Sequence, residues 1–328
     1  MKIVILNHRE VAEMLPMPEC IGLMAEALTA LAGGKVHMPL RITVRPQNAK
    51  GMMALMPVYL SGEQAGYGLK AICVFPDNPA MGKDAHQGSV LLFSAETGEL
   101  LAMFNASAVT AIRTAAVSAV ATRLLAKKNA EDLAIIGAGV QARSHLAAMA
   151  AVRPLKRVRI ADQIFERAQK LADEMSAQYP FVIKAVENIE ATVRDADIIV
   201  TATNSREPVL KKDWIAAGAH LNAVGACAPH AREVDSATMA VSKLYVDRRE
   251  STLSEAGDYI LASREGAIGP DHIQAEIGEV LIGKAPGRTS DKDITLFKAL
   301  GLAVEDLAAA QYLYRQAQEK QAGTWVEF

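Results

Sequence analysis

The stretch from Leu133 to Ala151 limits the fold of this chain more than any other. Leu133-Ala134-Ile135-Ile136 is a short apolar run of the kind that makes a buried strand. Gly137-Ala138-Gly139-Val140-Gln141-Ala142 follows, and a helix is expected over 141–151. In that strand, turn and helix setting the glycine spacing acquires chemical meaning. Gly137 permits the tight turn, Gly139 lets backbone N–H groups approach a pyrophosphate, and Ala142 lets helix and strand lie close. The pattern predicts a dinucleotide site built on Gly137, Gly139, Val140 and Gln141. Asp162 closes the next expected strand, about twenty residues past the turn, where a carboxylate accepts ribose hydroxyls. The same charge repels a 2′-phosphate, so NAD(H) is expected over NADP(H).

The surrounding pattern agrees with that turn. Strands are expected at 132–137, 157–162, 181–185, 198–201, 220–224 and 243–246, with helices between most of them, as at 164–178. Alternation of this kind predicts a parallel, doubly wound sheet. Ligands of such sheets bind beyond the carboxyl ends of the strands, which places Thr203, Val224 and Gly225 beside the ribose and nicotinamide. The first third of the chain reads differently. A helix from about Met17 to Ala32 stops at Gly33-Gly34, and strand follows strand at 40–44, 52–58, 69–75, 89–93 and 100–105. An antiparallel or mixed sheet is expected there. A long alanine-rich helix over 108–126 leads into the second pattern, and a final helix runs from Ala303 to about Glu319.

Composition removes several classes of function. With 328 residues the chain is long enough for two domains. Its 35 basic and 37 acidic side chains leave a net charge of −2, with no basic patch for nucleic acid. The apolar stretches are alanine-rich and broken by charge, so no membrane association is expected. Cys20, Cys73 and Cys227 are odd in number and far apart. They suggest neither disulfides nor a metal site, and fit a reducing, cytoplasmic setting.

In the first domain, Arg41, Lys70 and Arg113 each stand among apolar or small neighbours. A buried cation requires an anion. Two sources are open, a carboxylate on a substrate or internal salt bridges. If Arg113 is a substrate clamp, it faces no anion until the substrate arrives.

These residues, taken together, resemble the ornithine cyclodeaminase/μ-crystallin family along nearly the whole chain. The resemblance rests on Met38–Arg41, Met56-Pro57, Leu69-Lys70, His86-Gln87, the hairpin 90–102 and 110–121. It continues in Gly137–Ala142, Asn222–Gly225, Glu255-Ala256-Gly257-Asp258 and 295–306. It implies an α/β fold in which a Rossmann-type doubly wound parallel sheet, residues 118–302, is inserted into an α+β substrate-binding and dimerisation domain, residues 1–117 with 303–328. It also implies a homodimer, and a pocket in which Arg41, Lys70 and Arg113 face the carboxylate of a small imino or amino acid. Thr114 then approaches the cofactor phosphates, and His86 and Glu255 fall near the substrate, where either can relay protons or serve structure. Arg45 shares a strand face with Arg41.

One segment departs from the cyclodeaminases of the family, which carry an aspartate shortly after the Ala-Val-Gly strand end. Here Cys227 stands in that place, in Ala223-Val224-Gly225-Ala226-Cys227. A thiol is a poor substitute for a carboxylate base that must steady an amine, so the segment resembles the ketimine reductases instead. Cys227 is expected on the substrate side as a buried thiol. The resemblance therefore implies reduction of an α-imino acid with NAD(P)H, Lys70 and Glu255 being the catalytic candidates. The alternatives are a cyclodeaminase-type lyase that recycles NAD, and a non-catalytic binding protein.

Overall fold

The computed structural model describes residues 2–328. Two compact units share the chain: Met1–Arg113 with Gly301–Phe328, and Thr114–Leu300. The first contains β1 (Lys2–Leu6), α1 (His8–Met14), α2 (Met17–Ala32), β2 (Val36–His37), β3 (Ile42–Val44), β4 (Met52–Leu60), β5 (Gly66–Val74), β6 (His86–Ser94) and β7 (Leu100–Asn105). Helix α3 (Ala106–Leu125) begins in the first unit and passes into the second at Thr114. The second unit continues with β8 (Asp132–Ile136), α4 (Val140–Val152), β9 (Arg157–Ala161), α5 (Phe165–Ser176), β10 (Val182–Ala185), α6 (Ile189–Val193) and β11 (Ile198–Thr201). Then come β12 (His220–Ala223), α7 (Ser236–Val241), β13 (Lys243–Val246), α8 (Arg249–Glu255), α9 (Gly257–Arg264), β14 (Ile273–Glu276), α10 (Ile277–Leu281) and β15 (Thr295–Lys298). Helix α11 (Ala303–Lys320) and β16 (Thr324–Glu327) return to the first unit.

The first unit is built on an eight-stranded mixed sheet in the order β16-β1-β7-β6-β5-β4-β2, with β3 also paired to β4. Its pairings are antiparallel except for β1 against β7. Helix α11 packs across β4, β5 and β6. Side chains of a strand alternate between faces, and on β5 the buried set is Gly66, Gly68, Lys70 and Ile72. Gly68 lets the helix come close, since a Cβ there would lie 3.1 Å from Leu307 Cδ1. Lys70 is thus an ammonium group on an otherwise apolar inward face.

The second unit holds an eight-stranded sheet in the order β10-β9-β8-β11-β12-β15-β13-β14, parallel throughout. Residues of β11, β12 and β15 are buried without alternation, as expected of parallel strands covered on both faces. Helix α3 has the length and hydropathy of a membrane span, but most of it is buried within the protein. Carbonyls at and just beyond its C-terminus, where the helical ladder runs out, are met by arginine. Arg153 donates to Thr122 O at 2.6 Å, Ala126 O at 3.1 Å and Lys127 O at 3.0 Å. Arg153→Ala should therefore cost about 1–3 kcal/mol of stability. A drop of about 2–4 °C in the thermal midpoint per kcal/mol is expected, with catalysis intact; an unchanged melting curve would show that water replaces the guanidinium without loss.

Candidate active site

The first unit gathers charge where α3, β5 and α11 meet. Glu305 and Asp306 lie in the first turn of α11, where acidic groups complement the positive end of the helix. Arg113 on α3 donates to both: Nη1 is 2.6 Å from Glu305 Oε2, and Nε is 3.2 Å from Asp306 Oδ1. The same Asp306 oxygen receives Lys70 Nζ at 3.1 Å. All four side chains are almost wholly buried. Gly301, just before the helix, has φ +80°, and a Cβ there would fall 2.4 Å from Arg113 Nη1, so glycine alone leaves the guanidinium its place. The Gly301 carbonyl also accepts from Arg41 Nη2 at 3.2 Å.

The internal salt bridges left open by the sequence are therefore present at Lys70 and Arg113. The picture of Arg113 facing no anion before substrate arrives is corrected. The resemblance had reached Glu305 and Asp306 without giving them a role. Three cations, Arg41, Lys70 and Arg113, are nevertheless gathered here, Lys70 and Arg113 on the two carboxylates and Arg41 on the Gly301 carbonyl. Half-buried Arg41 is the most exposed of the three.

Protonation follows the same geometry. Burial pulls Lys70 down to about 8, with Asp306 opposing it and Arg113 and Arg41 assisting. Burial also opposes the charge on Arg113, but Asp306 and Glu305 more than offset it and leave its pKa raised. His86 opens β6 and is pushed down to about 4 by burial and by the Lys70 and Arg113 charges, so it is neutral near pH 7. Arg45 is exposed beyond β3.

The second unit presents the glycine turn at the end of β8. Gly137 adopts φ +104°, and a Cβ there would lie 2.5 Å from Ala202 O. At Gly139 a Cβ would meet nothing within 4 Å. This open cradle stands at the N-cap of α4, whose free N–H groups suit a phosphate. Exposed Val140 and part-buried Gln141 open that helix. Asp162 accepts from Ala138 N–H at 2.8 Å and from Ile164 N–H at 2.9 Å, fixing its carboxylate beside the turn. The residues present fit a dinucleotide.

Beyond β11 and β12, Thr203 and Gly225 are joined through Glu233, a residue the sequence reading missed. It stands between Arg232 and Val234 in a charged stretch, so nothing in the sequence marked it as buried. Val224 is buried beside Gly225, and Thr114 is part-buried on α3. Glu255 ends α8 and is part-buried. Cys227 is exposed, which corrects the expectation of a buried thiol, because it lies on the loop after β12 with its Sγ 3.5 Å from Val224 O. Among the described residues, no group of three or more His, Cys, Asp or Glu side chains is placed to hold a metal ion.

Residues 1–321 match the profile of the ornithine cyclodeaminase/mu-crystallin family. The chain belongs to that family. It is 36% identical over 325 residues to Delta(1)-pyrroline-2-carboxylate reductase of Bacillus cereus, covering 99% of both chains. It is 38% identical over 281 residues to the ketimine reductase mu-crystallin of Mus musculus, covering 86% of this chain and 85% of that protein. Among solved structures, Delta(1)-pyrroline-2-carboxylate reductase of Thermococcus litoralis, in complex with NADH and L-proline, superposes with a TM-score of 0.96 at 38% identity. That match covers 98% of this chain and 99% of the other. The similarity lies with the imine-reducing side of the family, as the departure at Cys227 had suggested.

Two outcomes follow for this family member. Arg113→Lys keeps a charge but loses the fork that spans Glu305 and Asp306. Catalytic efficiency should fall by about thirtyfold or more, and the thermal midpoint should fall with it, since a buried carboxylate loses part of its pairing. Normal melting with lost activity would mean that the ion pairs carry no stability. The second outcome concerns pH. If Lys70 acts as its ammonium, kcat/KM falls as pH rises through about 8. Asp306→Asn removes the charge that holds this pKa up, so the alkaline limb should move to lower pH. A limb that stays in place would show that Lys70 is not the titrating group.

Proposed function

We propose that this protein reduces an α-imino acid to the L-amino acid with NAD(P)H. The observation that carries the reading is the gathering of Lys70, Arg113 and Arg41 at the start of α11. Arg113 and Arg41 supply guanidinium groups for bidentate contact with the substrate carboxylate. Lys70, held near the physiological range by burial against Asp306, orients the imine and gives or takes its proton. Bound NAD(P)H supplies the hydride. Gly137, Gly139 and the N-terminus of α4 hold the pyrophosphate, with Thr114 placed for the same phosphates and Asp162 for the ribose. Cys227 cannot replace a carboxylate base, which weighs against the lyase reading. Cyclic ketimines such as 1-pyrroline-2-carboxylate are the leading substrates, ahead of acyclic imines such as iminosuccinate or the imine of pyruvate.

A second copy of the chain is the proposed partner. Val44 and Met53 stand opposite each other on β3 and β4, and both are exposed, as is Ile42. An apolar sheet surface of that kind suits burial in a dimer.

The direct test is NADH oxidation with preformed cyclic imines, run beside keto acids with ammonia. Turnover of a cyclic imine well above that of pyruvate with ammonia is expected, and no oxidation with any imine would sink the proposal. For the cofactor we propose NADH over NADPH. Asp162→Ala should narrow that preference by at least about tenfold, equivalent to roughly 1.4 kcal/mol. It should also weaken both dinucleotides, because Ala138 and Ile164 lose an acceptor. A wild type that prefers NADPH would show that Asp162 does not read the ribose.

A further inference from the structure

Glu233 lies on the loop between β12 and α7 and is fully buried. Four donors converge on its carboxylate. Thr203 N–H and Thr203 Oγ1 reach Oε1 at 2.6 and 2.8 Å; Gly225 N–H and Thr201 Oγ1 reach Oε2 at 2.6 and 2.9 Å. Thr201 ends β11 and the other two lie just beyond the carboxyl ends of β11 and β12, neighbouring strands of the parallel sheet. Gly225 is shaped for this contact: a Cβ there would lie 2.6 Å from Glu233 Oε1 and 2.0 Å from Thr203 O.

The backbone of Glu233 is fixed as well. Its carbonyl accepts from Val209 and Leu210 N–H, and its own N–H donates to Asp258 Oδ1 at 2.7 Å. Asp258 is in turn paired with buried Lys298 Nζ at 2.9 Å. Burial raises the Glu233 carboxyl pKa, and the Lys298 charge and the Thr203 donors offset that only in part, with the Asp258 charge adding to it. One backbone N–H addresses each oxygen. That arrangement suits an ionised carboxylate, and no neutral side chain of the same shape reproduces it, because an amide turns its NH2 toward one of the two N–H groups.

We propose that Glu233 is a positioning residue for the nicotinamide half of the dinucleotide, holding the Thr203 and Gly225 backbones in the register that this half requires. The proposal rests on the dinucleotide-dependent reading above. The adenosine half depends on other contacts, since Ala138 N–H and Ile164 N–H both donate to Asp162. The two halves can therefore be separated by experiment.

The test compares Glu233→Gln with wild type by titrating NADH, followed by its fluorescence, and 5′-AMP, followed by calorimetry. NADH affinity should fall by about tenfold or more, with AMP affinity within about twofold of wild type, because only the nicotinamide half is disturbed. Equal losses for both ligands, or loss of neither, would reduce Glu233 to a structural residue and overturn the proposal. If Glu233→Gln does not fold, Thr201→Val serves in its place. It removes one hydrogen bond at nearly constant volume and should show the same selective pattern at about threefold. A wild-type chain that binds no NADH sinks the functional reading itself, whereas wild-type binding with unselective losses in the variants sinks only this role.

Discussion

The ion cluster of Lys70, Arg113, Glu305 and Asp306 is the constraint on which the first unit depends. Charges this deeply buried are costly to desolvate, and pairing them seldom makes a protein more stable than an apolar core of equal volume would. Their presence makes sense as chemistry rather than as adhesive. Three segments distant in sequence must arrive together for the cluster to close: β5, the first turns of α3, and the start of α11. The return of the chain at Gly301 after the whole second unit is therefore a requirement of the site. Without α11, two buried cations would have lost both of their carboxylates.

Much of this follows from where the sequence puts small residues. Gly68 admits α11 to the sheet, Gly301 makes room for the guanidinium, and Gly225 makes room for a carboxylate in the second unit. In each case the missing Cβ is replaced by a functional atom or by the helix that carries one. Asp162 acts similarly from the other direction, since it locks the glycine turn through Ala138.

The elements legible in the sequence were those with strong local periodicity. Helix α2, strands β7, β11 and β13, and the long helix α3 lie within a residue or two of where the pattern placed them. The glycine turn was legible because its spacing is dictated by backbone geometry. Strands β1, β14, β15 and β16 were not marked as strands. The first and last pair with each other across the whole length of the chain, and that partnership leaves no local trace. Strand β15 reads Thr-Leu-Phe-Lys, and its final lysine looks like a surface residue until Asp258 is seen opposite it. The same limit hid the roles of Glu305, Asp306 and Glu233. A sequence can show that a cation sits among apolar neighbours, but which acid answers it is decided by tertiary contact. Cys227 erred the opposite way, because apolar neighbours in sequence do not bury a residue on a loop.

The two units carry two buried ionic clusters that are completed in different ways. In the second unit Glu233 and Asp258 outnumber Lys298. The excess negative charge there is met by fixed dipoles, the Thr203 and Gly225 N–H groups and two threonine hydroxyls, so nothing further is needed to complete it. A cluster satisfied in this way suits rigidity, and its worth lies in the backbone it holds. In the first unit Lys70 and Arg113 meet Asp306 and Glu305, and half-buried Arg41 donates to the Gly301 carbonyl. Forked guanidinium groups suit bidentate contact with a carboxylate. What answers the charge, fixed backbone dipoles in one unit and forked cations in the other, distinguishes the two clusters more than burial does.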